Sequence, residues 1–235
     1  RNYRGCMIKS SNYHTSFSFL DSFDFNLFDK VLFDQEFLKK ERMKSLEYFR
    51  ENSLPTPKVE EWKYFDLGKI SKLDFSQSRK IKKEDKNLLI NDLPNYGPRV
   101  VIINGEFCSN YSNISSLHGK VDFHNFLSSD MPIKQVNLNY IKESLSSNTD
   151  SLKSINLAFA KDIFVLVIKE GCILEQPIEF INISKSSGDN VCVNPRLIII
   201  SEERSESTVI ETCISYSKNY LWSNHVTDIV LQKNS

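Results

Sequence analysis

The clearest indication of the fold class comes from residues 163–184, IFVLVIKEGCILEQPIEFINIS. It holds two apolar, β-branched runs, Ile163–Ile168 and Ile178–Ile183, separated by a polar break at Glu170-Gly171. Runs of this composition are typical of β-strands. The first run is apolar at every position, whereas a strand of a β-sandwich normally alternates apolar and polar residues. The residues therefore favour a β-solenoid, whose strands stack into coils, over a β-sandwich, and no strict short repeat decides between the two.

The same texture continues to the end of the sequence. Further apolar, β-branched runs alternate with short polar breaks, and no helical pattern interrupts them. These additional predicted strands are Ile173–Leu174, Val191–Val193, Leu197–Ile200, Thr208–Ile214 and Val226–Leu231. Everything after Lys161 is therefore predicted to be β-structure.

The residues before Lys161 show mainly the apolar spacing of helices. Apolar residues recur at helical spacing over 29–52, which predicts a helix, and two shorter helices are predicted within 137–160. Between them the pair Asn104-Gly105 follows a β-branched run and predicts a β-hairpin. Residues 109–130 have the mixed composition of a loop.

A dense aromatic segment, LPTPKVEEWKYFDL, occupies residues 54–67. Its two prolines prevent the preceding helix from resuming. Trp62, Tyr64 and Phe65 carry large rings, and burial of such rings contributes strongly to packing. We therefore expect this segment to be an anchored packing element in which all three rings are buried.

The composition excludes several classes of protein. The 235 residues include 30 Lys and Arg and 30 Asp and Glu, so the formal net charge is zero. A general nucleic-acid binder needs a cationic surplus, and we expect no nucleic-acid partner. The basic residues within 79–83 are diluted by nearby acids and are interpreted as a solvated face. No run approaches 18 apolar residues, so we expect no membrane span, and no nucleotide-binding glycine motif is present.

The start of the sequence is unusual. The chain opens on Arg1 and its first methionine is Met7, which leaves open whether Met7 is the true start. Residues 1–28 lack the apolar core of a signal peptide, and their acidic residues do not fit a transit peptide. We expect them to form a flexible polar arm.

The cysteines form no recognisable motif. They are Cys6, Cys108, Cys172, Cys192 and Cys213, without a C-x-x-C pair. Their number is odd and the chain is not small, which predicts reduced thiols in a cytosol-like compartment and neither a disulfide framework nor a zinc site. Two interpretations of the cysteines after Lys161 remain open: apolar fillers of strands and turns, or one thiolate that accepts sulfur or binds iron.

The histidines and Arg196 are interpreted structurally. His225 stands at the start of a predicted strand, where a structural role is favoured over metal ligation. His118, Asp122 and His124 would form a metal site only if the segment folded back on itself. Arg196 is expected to anchor a turn by donating to backbone carbonyls. The sequence therefore predicts no catalytic and no metal-binding residue, and it leaves cofactor-binding residues unknown.

Six segments together resemble one family of proteins. They are LPTPKVEEWKYFDL (54–67), VIINGEF (101–107), SINLAFAKD (154–162), VIKEGCILEQPIEFINIS (167–184), NPRLIIISEERSESTVIET (194–212) and YLWSNHVTDIVL (220–231). Their order and spacing are similar to those of the SufB/SufD family of iron–sulfur cluster assembly scaffold proteins. The Pro-x-Pro and Glu-Glu-Trp-Lys-Tyr elements of the first segment are similar to the SufD branch.

The resemblance implies an α+β fold, with a small helical N-terminal domain followed by a right-handed parallel β-helix, which is a β-solenoid. With the arm at 1–28, it implies a helical domain with a small strand pair at 29–150 and an incomplete β-helix core at 151–235. Family members run well beyond this length, so we expect a C-terminally truncated fragment of a longer reading frame. The Cys and His groups that matter in the family would then lie beyond residue 235.

The resemblance also implies a function. SufD-like proteins are scaffold subunits of a SufB–SufC–SufD complex that assembles iron–sulfur clusters, and they are not enzymes by themselves. The expected partners are a SufB-like paralogue and a SufC-like ATPase, with no membrane partner. A cluster would be bound transiently by the full complex and not by this chain alone, and reduced flavin in that complex is left open. The expected location is the cytoplasm, or the plastid stroma in a photosynthetic eukaryote.

Two alternative functions remain open from the residues. One is a carbohydrate-binding or adhesive β-solenoid, which predicts clustered carboxylates or aromatics on one face. The other is a thiol-redox protein that uses a single cysteine.

Overall fold

The computed structural model describes residues 17–29, 33–78, 93, 95–126, 133–146, 150–186 and 188–235. These residues form a mixed α+β structure, which confirms the predicted class. The α-helices are α1 (Gln35–Asn52), α2 (Gln135–Ser146) and α3 (Ser151–Phe159). The strands are β1 (Ser76–Gln77), β2 (Arg99–Ile103), β3 (Glu106–Phe107), β4 (Val121–Asn125), β5 (Ile163–Ile168), β6 (Ile178–Ser186), β7 (Val191–Val193), β8 (Arg196–Ser201), β9 (Val209–Ser217), β10 (Leu221–Ser223) and β11 (Val226–Leu231). None of the helices in these ranges is long and apolar enough to cross a membrane.

Helix α1 begins later than its apolar spacing indicated. It starts at Gln35 and not at residue 29, because the Asp34 carboxylate accepts a hydrogen bond from the Phe37 amide at 3.1 Å and caps the first turn. The helix ends at Asn52 as predicted, and Ser53 follows with a φ of 54°. Residues 30–32 lie outside the described ranges.

The predicted hairpin at Asn104-Gly105 is confirmed. Its strands β2 and β3 are antiparallel, and Ile103 lies opposite Glu106. Asn104 and Gly105 both have positive φ, 51° and 80°, as a two-residue turn of this kind requires. By contrast, residues 109–130 are not all loop, because β4 pairs antiparallel with β5. That strand has little apolar signal of its own and is defined by its partner.

The described residues form three sheets, and in each of them a strand pairs with the third strand that follows it along the sequence. In the first sheet β5, β8 and β11 are parallel neighbours, so Ile163 lies beside Arg196 and Arg196 lies beside Val226. In the second sheet β6 pairs with β9, and in the third β7 pairs with β10, again in parallel. Each sheet also receives an earlier strand: β4 joins β5, β2 joins β6 and β1 joins β7. The sheets therefore take strands from both sides of residue 150.

Strands β5, β6 and β8 are buried on both faces over most of their length, whereas β9 and β11 are partly exposed. Phe164 and Leu166 of β5 point inward and belong to the core between the first two sheets, together with Phe180 of β6. The alternate residues Val165 and Val167 belong to a second core, which includes residues of α1 and α2. Because successive side chains of a strand point to opposite faces, a strand covered on both sides is apolar throughout. This explains why the run Ile163–Ile168 is apolar at every position.

Part of the segment expected to be a flexible arm is packed in the structure. Phe17, Phe19 and Phe28 are buried. Phe17 lies against Trp222 of β10 with ring centroids 5.4 Å apart, and both belong to one apolar core. Residues 1–16 lie outside the described residues. The phenylalanines explain the packing, since each buries a large apolar ring.

The expectation for the aromatic segment at 54–67 is wrong for two of its three rings. Tyr64 is 91% exposed and Phe65 is 61% exposed. Only Trp62 packs partly against the core. The segment is anchored by its ends, since Leu54 and Leu67 are buried.

Arg196 joins three elements from a fully buried position. It donates to the backbone carbonyl of Ser144 in α2 at 3.2 Å and forms an ion pair with Asp228 of β11. Lys153 also pairs with Asp228, at 2.8 Å. Burial lowers the pKa of Arg196, although Asp228 acts in the opposite direction. The predicted hydrogen bond to a backbone carbonyl is confirmed, but this carbonyl belongs to helix α2 and not to a turn, and the ion pair to β11 adds to the anchoring.

Candidate functional site

The β9–β11 end of the sheets brings Glu211, Cys213 and His225 together. Glu211 and Cys213 are two positions apart on β9, so their side chains share one face. This face is the inner one, because Glu211 lies beside Phe180 in the register and Phe180 belongs to the core between the first two sheets. His225 directly precedes β11. Polar side chains thus take the inner positions of β9.

The imidazole of His225 contacts both β9 side chains through one nitrogen. Its Nδ1 lies 3.3 Å from Cys213 Sγ and 3.8 Å from Glu211 Oε1. Its Nε2 lies on the other side of the ring, 2.6 Å from Ser223 Oγ. That hydroxyl lies 3.1 Å from Ser184 Oγ of β6. The ring orientation is therefore determined by hydrogen bonds on both edges.

The Glu211 carboxylate is held by donors from two neighbouring strands. Asn182 Nδ2 of β6 donates to Oε1 at 2.9 Å, and Thr227 Oγ1 of β11 donates to Oε2 at 2.8 Å. Asn182 is buried, and its Oδ1 has no hydrogen-bond partner among the described residues. The site is thus a connected polar network with one unsatisfied buried oxygen.

The network shifts the pKa of two of its members. Burial alone would lower the pKa of His225, but its hydrogen bonds and charge interactions with Cys213 and Glu211 raise it to about 9. Burial would raise the pKa of Glu211, whereas hydrogen bonds from His225, Thr227 and Asn182 lower it. At neutral pH a protonated His225 therefore lies beside an ionised Glu211.

This arrangement offers three different donor atoms within a small volume. The thiol sulfur, an imidazole nitrogen and a carboxylate oxygen all lie within 4.8 Å of one another. Among the residues that the structure describes, these are the only three such side chains to meet in this way. A thiol, an imidazole and a carboxylate can bind a metal ion together. The imidazole or the carboxylate can also accept the proton of the thiol.

Sequence reasoning missed this site. It left Cys213 open between an apolar filler and a reactive thiolate and favoured a structural role for His225, because Cys213 lies on β9 and His225 follows β10, so the two are not neighbours in sequence. Strands β9 and β11 belong to different sheets, so only the packing of the second sheet against the first shows that the residues meet. The one signal available was the Glu-x-Cys spacing of Glu211 and Cys213, which places both side chains on one face of a strand.

The other histidine cluster considered from the sequence does not assemble. Asp122 lies on β4 and pairs with Lys169 at 2.8 Å. His124 is buried on the same strand, and burial lowers its pKa. His118 follows a short helical turn before the strand. These three side chains form no metal-ligand group among the described residues.

The remaining cysteines are less suited to chemistry than Cys213, which is exposed. Cys192 is fully enclosed, and burial raises its pKa to about 12 despite a hydrogen bond from Asn194. Cys108 is buried and Cys172 is partly buried. Cys6 lies outside the described residues. A thiol with a raised pKa holds its proton at neutral pH and is a poor nucleophile.

A separate cavity of about 570 Å³ lies where α1, β3 and the start of β5 meet. Its charged lining includes Arg42, Glu106, Lys161 and Asp162. Lys161 pairs with Glu106 at 3.2 Å, and Asp162 accepts from Asn125 at 3.0 Å. Lys161, Glu106 and Asp162 therefore have partners within the protein.

The fold and the site define the class of this protein. It is an α+β protein whose sheets are built mainly from parallel strands that recur in sets of three, and helices α1 and α2 pack against the outer face of the first sheet. The sequence profile of the SufBD protein N-terminal region matches residues 24–180. The chain belongs to the SufBD family, which confirms the family resemblance seen in the sequence.

Two curated relatives are similar to most of the chain. An iron–sulfur cluster assembly SufBD family protein of Synechocystis sp. is 24% identical over 191 residues, which cover 77% of this chain and 42% of that protein. Protein ABCI7, chloroplastic, of Arabidopsis thaliana is 29% identical over 209 residues, which cover 84% of this chain and 42% of that protein. The chain thus spans less than half the length of these relatives.

Proposed function

We propose that this chain is the N-terminal portion of a SufD-like scaffold subunit that acts in iron–sulfur cluster assembly. The observation that carries the proposal is the match of residues 24–180 to the SufBD N-terminal region. The Synechocystis relative, whose name includes iron–sulfur cluster assembly, supports the same process. The Pro-x-Pro and Glu-Glu-Trp-Lys-Tyr elements of residues 54–67 support the SufD branch.

The sheet pairing supports a right-handed parallel β-helix as the architecture of the β region. In such a fold each coil contributes one strand to each sheet, and neighbouring coils pair in parallel. The pairing of β5, β6 and β7 with β8, β9 and β10 has this form. Within the described residues the sheets end on β9, β10 and β11. The free edges of these strands can pair with a further coil or with a partner sheet.

The proposed subunit works through protein contacts and is not an enzyme by itself. Its proposed partners are a SufB-like paralogue and a SufC-like ATPase, and the second would supply any ATP hydrolysis, since the sequence has no nucleotide-binding glycine motif. An iron–sulfur cluster would be bound transiently by the full complex, where reduced flavin is a further candidate. The chloroplastic relative supports the plastid stroma as the location in a photosynthetic source, with the cytoplasm as the bacterial equivalent.

Co-expression tests this proposal directly. The full-length protein that contains this chain is tagged and produced together with a SufB-like and a SufC-like protein. We expect both to elute with it in a fixed ratio after size-exclusion chromatography. Elution of the tagged protein without either partner would contradict the scaffold role. Depletion of the protein in its source should also lower the activity of an iron–sulfur enzyme and leave a haem enzyme unchanged.

A further inference from the structure

We propose that Glu211, Cys213 and His225 form a binding site for one divalent transition-metal ion of the zinc type. The three would supply Oε1, Sγ and Nδ1, with the protons of the thiol and of Nδ1 released to solvent as the ion binds, and a fourth position would stay open. The inference rests on the geometry of this chain and not on the proposed function.

The spacing of the donor atoms fits one ion. In a tetrahedral zinc site, bonds of about 2.3 Å to sulfur and about 2.0–2.2 Å to nitrogen and oxygen place neighbouring donors roughly 3.4–3.6 Å apart. Here Nδ1 of His225 lies 3.3 Å from Cys213 Sγ and 3.8 Å from Glu211 Oε1. Small side-chain rotations would bring the three donors to a common ion, and the strands would not have to move.

The donors are oriented by a surrounding layer of hydrogen bonds. Metal-ligating histidines usually hold their second ring nitrogen on a hydrogen-bond acceptor. Here Ser223 Oγ lies 2.6 Å from Nε2, which leaves Nδ1 directed at the other two ligands. Thr227 holds the second carboxylate oxygen of Glu211 at 2.8 Å. Both contacts match the outer layer of a metal site.

The buried oxygen of Asn182 gives a second and independent indication of a ligand. Its amide nitrogen donates to Glu211, while its Oδ1 is buried without a partner among the described residues. Buried polar atoms almost always have a partner, supplied by protein or by ordered water. A metal-bound water in the open fourth position would supply this missing donor.

The donor set also selects the kind of metal. Magnesium and calcium prefer sites built only from oxygen, whereas thiolate and imidazole favour zinc and related transition metals. A mixed set of one sulfur, one nitrogen and one oxygen with an open position therefore excludes the alkaline-earth ions. The same set would bind cobalt, which makes Co²⁺ a usable optical probe.

The test is titration of the chelator-treated chain with Co²⁺ and then with Zn²⁺. We expect a sulfur-to-cobalt charge-transfer absorption that saturates near one equivalent and is displaced by Zn²⁺. Cys213→Ser should abolish this absorption, and His225→Gln and Glu211→Gln should each weaken Zn²⁺ binding at least tenfold in calorimetry. Ser223→Ala keeps all three proposed ligands but removes the hydroxyl that contacts Nε2 of His225 and Oγ of Ser184, and it should weaken Zn²⁺ binding about tenfold.

Cys172→Ser is the matched control, because Cys172 is a partly buried cysteine outside the cluster. It should leave both the absorption and the affinity unchanged. Far-ultraviolet circular dichroism of every variant separates loss of the site from loss of the fold. Absence of a charge-transfer absorption in the folded chain, or its persistence in folded Cys213→Ser, would overturn the proposal.

Discussion

The inner faces of β6 and β9 are neighbours in one sheet, yet they differ in burial and, at one register position, in chemistry. The register places the apolar Phe180 beside the charged Glu211, whereas Asn182 beside Cys213 already belongs to the polar network, so the inner face changes from an apolar core to that network where Phe180 meets Glu211. The first sheet shows the same change, where Leu197 of β8 lies beside Thr227 of β11. In-register parallel pairing determines where a side chain points, but each strand's own residues determine what lies there.

The difference suggests that the inner residues of the buried strands serve stability, whereas those of β9 serve ligand binding. The inner residues of β5, β6 and β8 are almost fully buried and stabilise the fold through apolar area. The inner residues of β9 are linked mainly by hydrogen bonds, which contribute about 1 kcal/mol each at most sites. Substitutions on the two strands should therefore differ in their effects on stability and on ligand binding.

The largest effect is expected on the apolar strand. Phe180→Ala should lower the free energy of unfolding by about 3–5 kcal/mol, because Phe180 is fully buried and its loss leaves a cavity. Chemical denaturation measures this change. Ile173→Ala is the control, since Ile173 is 63% exposed and should change stability by less than about 0.5 kcal/mol. Equal effects of the two variants would show that the inner face is not the core.

The next effect concerns the buried ion pair on the outer side of β8. Arg196→Ala should cost about 3 kcal/mol, because it removes the fully buried one of the two partners of Asp228 and the anchor to Ser144. Lys153→Met removes the other, partly exposed partner of Asp228 and should cost less than about 1 kcal/mol. Thermal unfolding followed by circular dichroism measures both variants. A larger cost for Lys153→Met would contradict the central role of Arg196.

A third effect depends on pH and involves Glu202, a buried residue just after β8. Burial would raise its pKa, but hydrogen bonds from Lys134, Asn137 and the Glu170 amide lower it. A lowered carboxyl pKa stabilises the fold above the unfolded value of about 4.3, and that contribution is lost as the pH falls through the folded value. Glu202→Gln should therefore be less stable than the parent chain at pH 7 by about 1 kcal/mol.

The same comparison at low pH tests the sign of the Glu202 effect. The gap between the parent chain and Glu202→Gln should close as the pH falls below 4. Urea titrations at a series of pH values provide the measurement. A gap that widens in acid would show that the Glu202 carboxyl is not stabilised in its ionised form.

The smallest effect is expected on the polar strand. Cys213→Ser should change the free energy of unfolding by less than about 1 kcal/mol, since Cys213 is exposed and the substitution replaces only its sulfur by a smaller, more polar oxygen. Urea denaturation of the metal-free chain measures this change. A loss as large as that of Phe180→Ala would show that the inner face of β9 belongs to the apolar core after all.

Much of the fold could be predicted from local patterns. The strand runs at 163–168, 191–193 and 226–231 coincide with β5, β7 and β11, because each has a continuous β-branched composition of its own. The hairpin at Asn104-Gly105 was predictable because only a few residue pairs favour positive φ at both turn positions. Strand β4 was not predictable, since it depends on a partner far away in the sequence.

Exposure was harder to predict than secondary structure. The rings of Tyr64 and Phe65 were expected to be buried, since aromatic density usually indicates packing, and both are exposed. The phenylalanines at 17 and 19 were assigned to a flexible arm, and both are buried against Trp222 and its neighbours. A ring is buried only where another surface accepts it, and the residues near it in sequence do not contain that information.

The sequence by itself determined the α+β class, the change from helical to β texture near Lys161, and membership in the SufBD family. These properties follow from local periodicity, turn residues and short motifs. Only the tertiary structure shows that Glu211, Cys213 and His225 meet, because β9 belongs to the second sheet and β11 to the first, and the inner faces of these two sheets approach each other only in the folded chain. Packing between two sheets is a property of the whole fold, so neither strand alone reveals it.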